Sequence, residues 1–333
     1  MVILLAFVLV LIIGLSHRAT TTVTAPSTPK TSKTTTRPAP TAPATTIPLP
    51  THATAAFMPH DLPLALSRSS AVIDGSTVLV LGGLTSSGST AKVYRFDPAT
   101  AAVTQDGQLA SAVHDAAAAS IGGKAVIFGG GDETHTVATV QVYGPPAGQS
   151  TGQLPSARSD LVATRASTHV YVLGGFDGTN LAADVLQTDN GATFRSVARL
   201  PVPVRYPAVA AMGNIIYLFG GQTSSQAGNQ TAAVQAIDVA AGTARVIANL
   251  PQAMSEATAW VQQGAFIIAG GRQGAAAGSA IVRFDPATGQ TTALGSLPRP
   301  TADAPVAVIN DVAYLFGGEG TSRLTGIVKI TLA

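Results

Sequence analysis

Cysteine is missing from all 333 residues. That absence removes disulfides, thiolate metal sites and thiol nucleophiles together, and it leaves the redox compartment open. Charge is sparse as well, at 11% of residues, and aromatics make up 5%, with Trp260 the single tryptophan. No acidic residue precedes Asp61. Nineteen Lys and Arg stand against 17 Asp and Glu, but four of the cations, Arg18, Lys30, Lys33 and Arg37, come before that first acid, so the rest of the chain carries 15 against 17. The formal net charge of +2 therefore belongs to the N-terminal segment. Binding to nucleic acid, which needs cations clustered on the fold itself, is not expected.

Motifs for resident chemistry are scarce too. The six histidines, His17, His52, His60, His114, His135 and His169, show no His-x-x-x-His spacing. No Gly-x-Ser-x-Gly elbow, phosphate loop or dinucleotide fingerprint appears, so neither a metal nor another cofactor is expected.

What the chain has in quantity is glycine, 34 residues of it. Twelve of these form six pairs: Gly82-Gly83, Gly129-Gly130, Gly174-Gly175, Gly220-Gly221, Gly270-Gly271 and Gly317-Gly318, spaced by 47, 45, 46, 50 and 47 residues. A period of that length marks propeller blades rather than a helical solenoid. Each pair ends a short apolar run of strand type, such as Val170-Tyr171-Val172-Leu173 or Ile215-Ile216-Tyr217-Leu218-Phe219. A Leu-Pro step precedes each pair, with Leu109-Ala110 as the one departure. Downstream, a strand enters a tight turn spelled identically in Phe96-Asp97-Pro98-Ala99-Thr100 and Phe284-Asp285-Pro286-Ala287-Thr288, where Pro sets φ and the Asp and Thr side chains bond the local backbone. Each unit reads as four antiparallel strands. The expected fold is all-β: a six-bladed β-propeller of four-stranded antiparallel blades.

Only one strand, Gly326 to Leu332, follows the last glycine pair, while His52 to Met58 stands where other units carry a fourth strand. The ring is thus expected to close with the N-terminal strand in the last blade, which leaves no open seam. The domain expected from this reading covers residues 52–333, and a monomeric propeller is expected.

These units resemble the kelch repeat, most closely in Val170 to Gly178, where strand, glycine pair and a Phe-Asp-Gly turn follow in order. The chain departs from that family in its fourth strands, which lack the usual Trp. The galactose-oxidase branch of the family needs a Tyr cross-linked to Cys at a copper site, and the absence of Cys excludes that chemistry.

Two segments precede the propeller. Val2 to Leu15 is an unbroken apolar run, shorter than the roughly 20 residues of a spanning helix and nearer to a signal-peptide core. Residues 1–18 are read as a signal anchor holding the membrane through residues 2–15, with a cleaved signal peptide as the alternative. Residues 19–51 hold 13 Thr and 7 Pro and are expected to form an extended, disordered stalk. Together these place the propeller outside the cytoplasm, membrane-anchored, or secreted if the first segment is removed.

The loop entering each innermost strand and the loop after each glycine pair lie on one face of such a disc. Some 14 to 16 residues before the glycine pairs stand Arg68, His114, Arg158, Arg205, Glu256 and Asp303. Kelch domains that bind ligands commonly use arginines near this position, so the resemblance implies a ligand site at the channel mouth formed by these six. Arg offers planar paired donors suited to anionic groups. The expected role is a binding module that recognises a protein, a glycan or an anionic small molecule. The alternative is a sugar epimerase or mutarotase similar to the kelch-type sialic-acid epimerases, with Glu256, Asp303 and His114 as acids and bases. Residues of the post-glycine loops, among them Arg272 and Glu319, read as ordinary solvated positions.

Overall fold

A computed structural model describes residues 48–144, 149–226 and 228–333. The apolar segment 1–18 and nearly all of segment 19–51 lie outside the described residues. The chain divides into two units, Met1–Thr46 and Ile47–Ala333, and the second is the propeller. Among the described residues no helix is long and apolar enough to cross a membrane.

Six antiparallel sheets follow one another, each with four main strands; in the fifth the two-residue strand Ala276–Ala277 also pairs with the second strand. The innermost strands are Ser70–Asp74, Ala117–Ile121, Val162–Ala166, Ala208–Met212, Ser255–Gln262 and Val306–Ile309. The second strands run Thr77–Leu81, Lys124–Phe128, His169–Leu173, Ile215–Phe219, Ala265–Gln273 and Val312–Phe316. The sixth blade takes its outer strand from the front of the domain: Ala53–Phe57 pairs antiparallel with Ile327–Leu332, in the register Ala53 opposite Leu332. Backbone bonds from His52 to Ala333 and back, both 2.9 Å, extend that pairing to the edge.

Second strands read as unbroken apolar runs because both of their faces are covered by neighbouring blades. Val78 and Val80 pack into the layer shared with blade six, while Leu79 and Leu81 pack into the layer shared with blade two. Six such layers, one per interface, make up the core. Phenylalanines of the second and third strands meet within these layers. Phe96 meets Phe316 edge-on at 5.4 Å between blades one and six, and Phe219 meets Phe284 at 5.2 Å between blades four and five.

The glycine pairs join one blade to the next. In every pair both residues have positive φ, and the second donates its N–H to a carbonyl of the following blade. The six bonds are Gly83 to Val113, Gly130 to Arg158, Gly175 to Val204, Gly221 to Met254, Gly271 to Thr301 and Gly318 to Leu66, at 2.8 to 2.9 Å. The first glycine presses against that same carbonyl: a Cβ on Gly174 would stand 2.6 Å from the Val204 oxygen. Only a residue without Cβ fits there. The last bond, Gly318 to Leu66, closes the belt. The leucines of the Leu-Pro steps are buried in all six units, and Leu109 keeps the pattern although Ala110 replaces Pro. In the Asp-Pro turns, the Asp97 carboxylate accepts from the Ala99 N–H and the Thr100 hydroxyl at 2.9 Å, and Asp285 repeats this with Ala287 and Thr288.

Candidate functional site

Two residues past each belt carbonyl the chain turns toward the axis. Six residues occupy this position: Arg68, Asp115, Asp160, Tyr206, Glu256 and Asp303, each 14 positions before the first glycine of its pair. All six have φ between 52° and 61°. Each donates its N–H to the carbonyl of its counterpart one blade earlier, at 2.8 to 3.0 Å, and the bond from Arg68 to Asp303 closes the circle. Left-handed backbone is costly for Arg, Tyr and Glu, so the surrounding belt over-determines it. This inner ring is the frame of the site.

The six residues named from the sequence divide into two sets of three. Arg68, Glu256 and Asp303 are ring members. His114 and Arg205 precede ring residues by one, at the position that bridges to the post-glycine loop, opposite Gly131 and Gln222. Arg158 precedes its ring residue by two, at the belt-carbonyl position, where the other blades place Leu66, Val113, Val204, Met254 and Thr301. Its side chain accordingly points between blades and not into the mouth: it is 1% exposed and bonds Asp184 at 3.1 and 3.2 Å and Ser156 at 3.2 Å. Asp115, Asp160 and Tyr206 were missed because a basic residue type, His114, Arg158 or Arg205, stands one or two positions before each. The constant offset of 14 was the signal that identifies them.

Side chains of the ring interlock. Arg68 Nη1 donates to Asp115 Oδ2 at 3.1 Å and to the Tyr206 hydroxyl at 3.0 Å, and that hydroxyl donates to the same Asp115 oxygen at 3.1 Å. Arg205 Nε stands 2.8 Å from Asp160 Oδ2, with its guanidinium over the rings of Tyr206 and Phe176. Two post-glycine residues read as solvated belong here instead: Arg272 bridges Glu256 and Glu319, the latter at 3.1 Å. Gln222 donates to Glu256 at 3.0 Å and Ser67 donates to Glu319 at 3.2 Å. His114 Nδ1 lies 2.8 Å from the Ser89 hydroxyl, and its Nε2 lies 3.5 Å from Asp115.

Five carboxylates thus face three guanidiniums, and burial makes the surplus felt as held protons. Burial, then the charge of Asp115, raises Asp160 to about 7 against the pull of Arg205. Burial, then Glu256, pushes Asp303 well above its ordinary value. Burial, then Asp115 and Asp160, raises the Tyr206 hydroxyl well above its own. Burial alone would lower the Arg68 guanidinium, but Asp115, Tyr206, Asp303 and Glu319 outweigh it and hold it above its ordinary value. The arrangement offers hydrogen-bond donors, carboxylate acceptors and two acids of raised proton affinity within one concave cluster.

The ring also floors a cavity of about 420 Å³. Its wall consists of ring members and of residues that follow them along the innermost strands, with alanines from every blade: Ala71, Ala116, Ala163, Ala208, Ala257 and Ala304. None of the residues directly preceding the ring lines it. The cavity lies on the strand side of the ring, whereas Arg205, Arg272, His114 and Glu319 gather on the loop side. Among the described residues no group of three His, Asp or Glu is placed to hold a metal ion.

No protein-family model and no curated protein matches this chain. A solved structure described as "Structure of YjhT" is similar to it with a TM-score of 0.69 and 18% identity, over 82% of this chain and 99% of that one. At that identity the likeness carries the fold alone, and the fold is a six-bladed β-propeller.

Proposed function

We propose that the chain is a kelch-type propeller that serves as a binding module outside the cytoplasm, carried on the Thr/Pro-rich segment and taking its ligand at the loop side of the ring. One observation carries this reading: Arg205, Arg272, His114, Gln222 and Glu319, from four blades, converge on the ring at one end of the channel. Interleaved donors and acceptors suit a ligand rich in hydroxyls or amides, a glycan or polar peptide segment. A simple anion suits it less, because Arg68, Arg205 and Arg272 each already face a carboxylate. A glycan and peptide array probed with the full-length chain tests the reading. Arg205→Ala with Arg272→Ala should weaken the retained ligand by about 1.5 to 3 kcal/mol for each charge-assisted bond lost. Undiminished binding by that double variant moves the site elsewhere. Proteolysis of intact cells tests display, and protection of the propeller until lysis overturns it.

A second reading, a sugar epimerase or mutarotase, draws on Asp160 and Asp303, whose proton affinity is raised by burial and by neighbouring carboxylates in the same cluster. Groups with separated proton affinities are what a proton transfer needs. Exchange at the anomeric carbon of acidic sugars, followed by NMR, supports it if the protein accelerates the exchange and removes it if not.

A further inference from the structure

The outer strands form the rim of the propeller, and the sixth differs from the other five. In blades one to five the pairing of third and outer strand shifts register, and such bulges twist an edge out of reach of other strands. In blade six Ala53–Phe57 runs beside Ile327–Leu332 without a shift and carries no charged residue. His52 and Ala333 exchange both of their backbone bonds, so the even-numbered residues of this strand face into the sheet. Ala53, Ala55 and Phe57 therefore turn their N–H and C=O groups outward, where no further strand pairs with them. The chain entering the strand is drawn toward blade five, where Arg283 donates to the Pro50 carbonyl at 2.8 Å. The free stretch is short and bounded. At one end the Ala53 carbonyl lies against Gly295 of blade five, 2.5 Å from where a Cβ on that glycine would stand. At the other, Pro59 has no N–H to give. Ala55 and Phe57 remain open.

We propose that this edge pairs with its twin in a second copy of the chain, antiparallel across a twofold axis at Ala56, so that the two sixth blades form one continuous sheet. Ala55 of each copy then stands opposite Phe57 of the other and exchanges both backbone bonds with it, which uses every outward group of the free stretch. Another strand could meet one such edge, but a second copy brings the same two residues between the same two stops and sets a small side chain against each large one. Charge does not oppose the match. The strand has none, and the nearest cation in register, Lys329 opposite Ala56, is separated from its twin by three strand spacings, roughly 14 Å, beyond the screening length. Phe57 is 42% exposed in the single chain, and pairing takes part of that ring out of water. So short a contact falls below the roughly 1,200 Å² of a lasting interface, so the dimer is weak and forms as concentration rises. This departs from the monomer expected from the sequence, and it does not involve the loop side of the ring.

Because the chain has no cysteine of its own, crosslinking tests this directly. In the full-length chain carrying Ala56→Cys, the two thiols belong to a non-hydrogen-bonded pair with Cα atoms about 4.5 Å apart, within disulfide range. With Thr54→Cys they lie four residues apart along the strands, roughly 14 Å, out of range. Both positions are exposed, so neither change disturbs the core. Under mild oxidation Ala56→Cys should give covalent dimer at least about tenfold faster than Thr54→Cys, and its rate should climb with protein concentration. Adding Ala55→Pro removes an outward N–H that the sheet does not use, so the melting temperature should hold while crosslinking through Ala56→Cys falls about tenfold. Equal rates at the two cysteine positions, no crosslink at either, or a rate indifferent to Ala55→Pro overturns the proposal. Association through residues 2–15 would crosslink both positions alike, so it is told apart. If the proline variant fails to fold, the comparison of the two cysteine positions decides the matter.

Discussion

Crowding sets the behaviour of single residues in the ring. Asp160 has its carboxyl raised to about 7, so the folded chain holds this proton more tightly than the unfolded chain does. Its contribution to stability is fullest below the ordinary carboxylate pKa and declines as pH climbs from about 4 to about 7. Asp160→Asn should therefore flatten the dependence of melting temperature on pH across that window, with Asp303 supplying the slope that remains. Parallel curves for parent and variant, measured by calorimetry, would exclude the assignment. Arg158 behaves by a different rule. A buried cation that loses its partner is left uncompensated, whereas removing the cation itself is tolerated. Asp184→Ala should cost about 3 kcal/mol, at the low end because Asp184 is partly exposed, while Arg158→Leu should stay within about 1 kcal/mol of the parent in urea unfolding. Half of the ring was legible in the sequence for a plain reason. Arg68, Glu256 and Asp303 stand out in side-chain chemistry where their neighbours do not, but His114, Arg158 and Arg205 stand out one or two positions before the true ring residues, and residue type alone does not say which way a side chain points. Backbone phase does, and the invariant offset from the glycine pair carries it.

At the scale of the element, the second strands and glycine pairs were readable because burial on both faces forces an unbroken apolar run and the close approach of the next blade forces glycine. Fourth strands were faint because they lie at the rim: Arg195–Arg199 and Thr243–Asn249 are mostly exposed or half-buried, so little apolar patterning marks them. In blades one to five their pairing with the third strand also shifts register, between Val93 and Tyr94 in the first and at the corresponding point in the others, which breaks strict alternation. Glycines themselves divide into two kinds. Gly213 has φ of 60° with open space around its missing Cβ, and Gly213→Ala should cost about 1 to 2 kcal/mol from backbone strain alone. Gly174 has φ of 64° and the Val204 carbonyl where its Cβ would go, and Gly174→Ala should cost about 3 kcal/mol or more, because strain adds to a damaged inter-blade bond. Equal losses in chemical denaturation would mean that the belt contributes nothing beyond local conformation.

For the molecule as a whole, closure is the governing fact. Deleting residues 1–47 should leave a propeller that melts cooperatively, whereas deleting 1–61 removes the strand Ala53–Phe57, bares the edge of Ile327–Leu332 and uncovers the apolar layer to which Ala53 and Ala55 belong. Loss of a cooperative transition, or aggregation, is expected for the longer deletion only; matching melts for the two would show that the seam is dispensable. That seam has a mechanical side as well. Ala53 and Leu332 face each other at the outer end of an antiparallel pair, so a force applied between the two ends of the domain does not shear five rungs at once but peels them in turn, from Ala53 opposite Leu332 to Phe57 opposite Val328. A ring that resists heat as a unit should then yield to traction like a zip, opening at low force when gripped by its ends in a single-molecule pull and at much higher force when gripped across opposite blades.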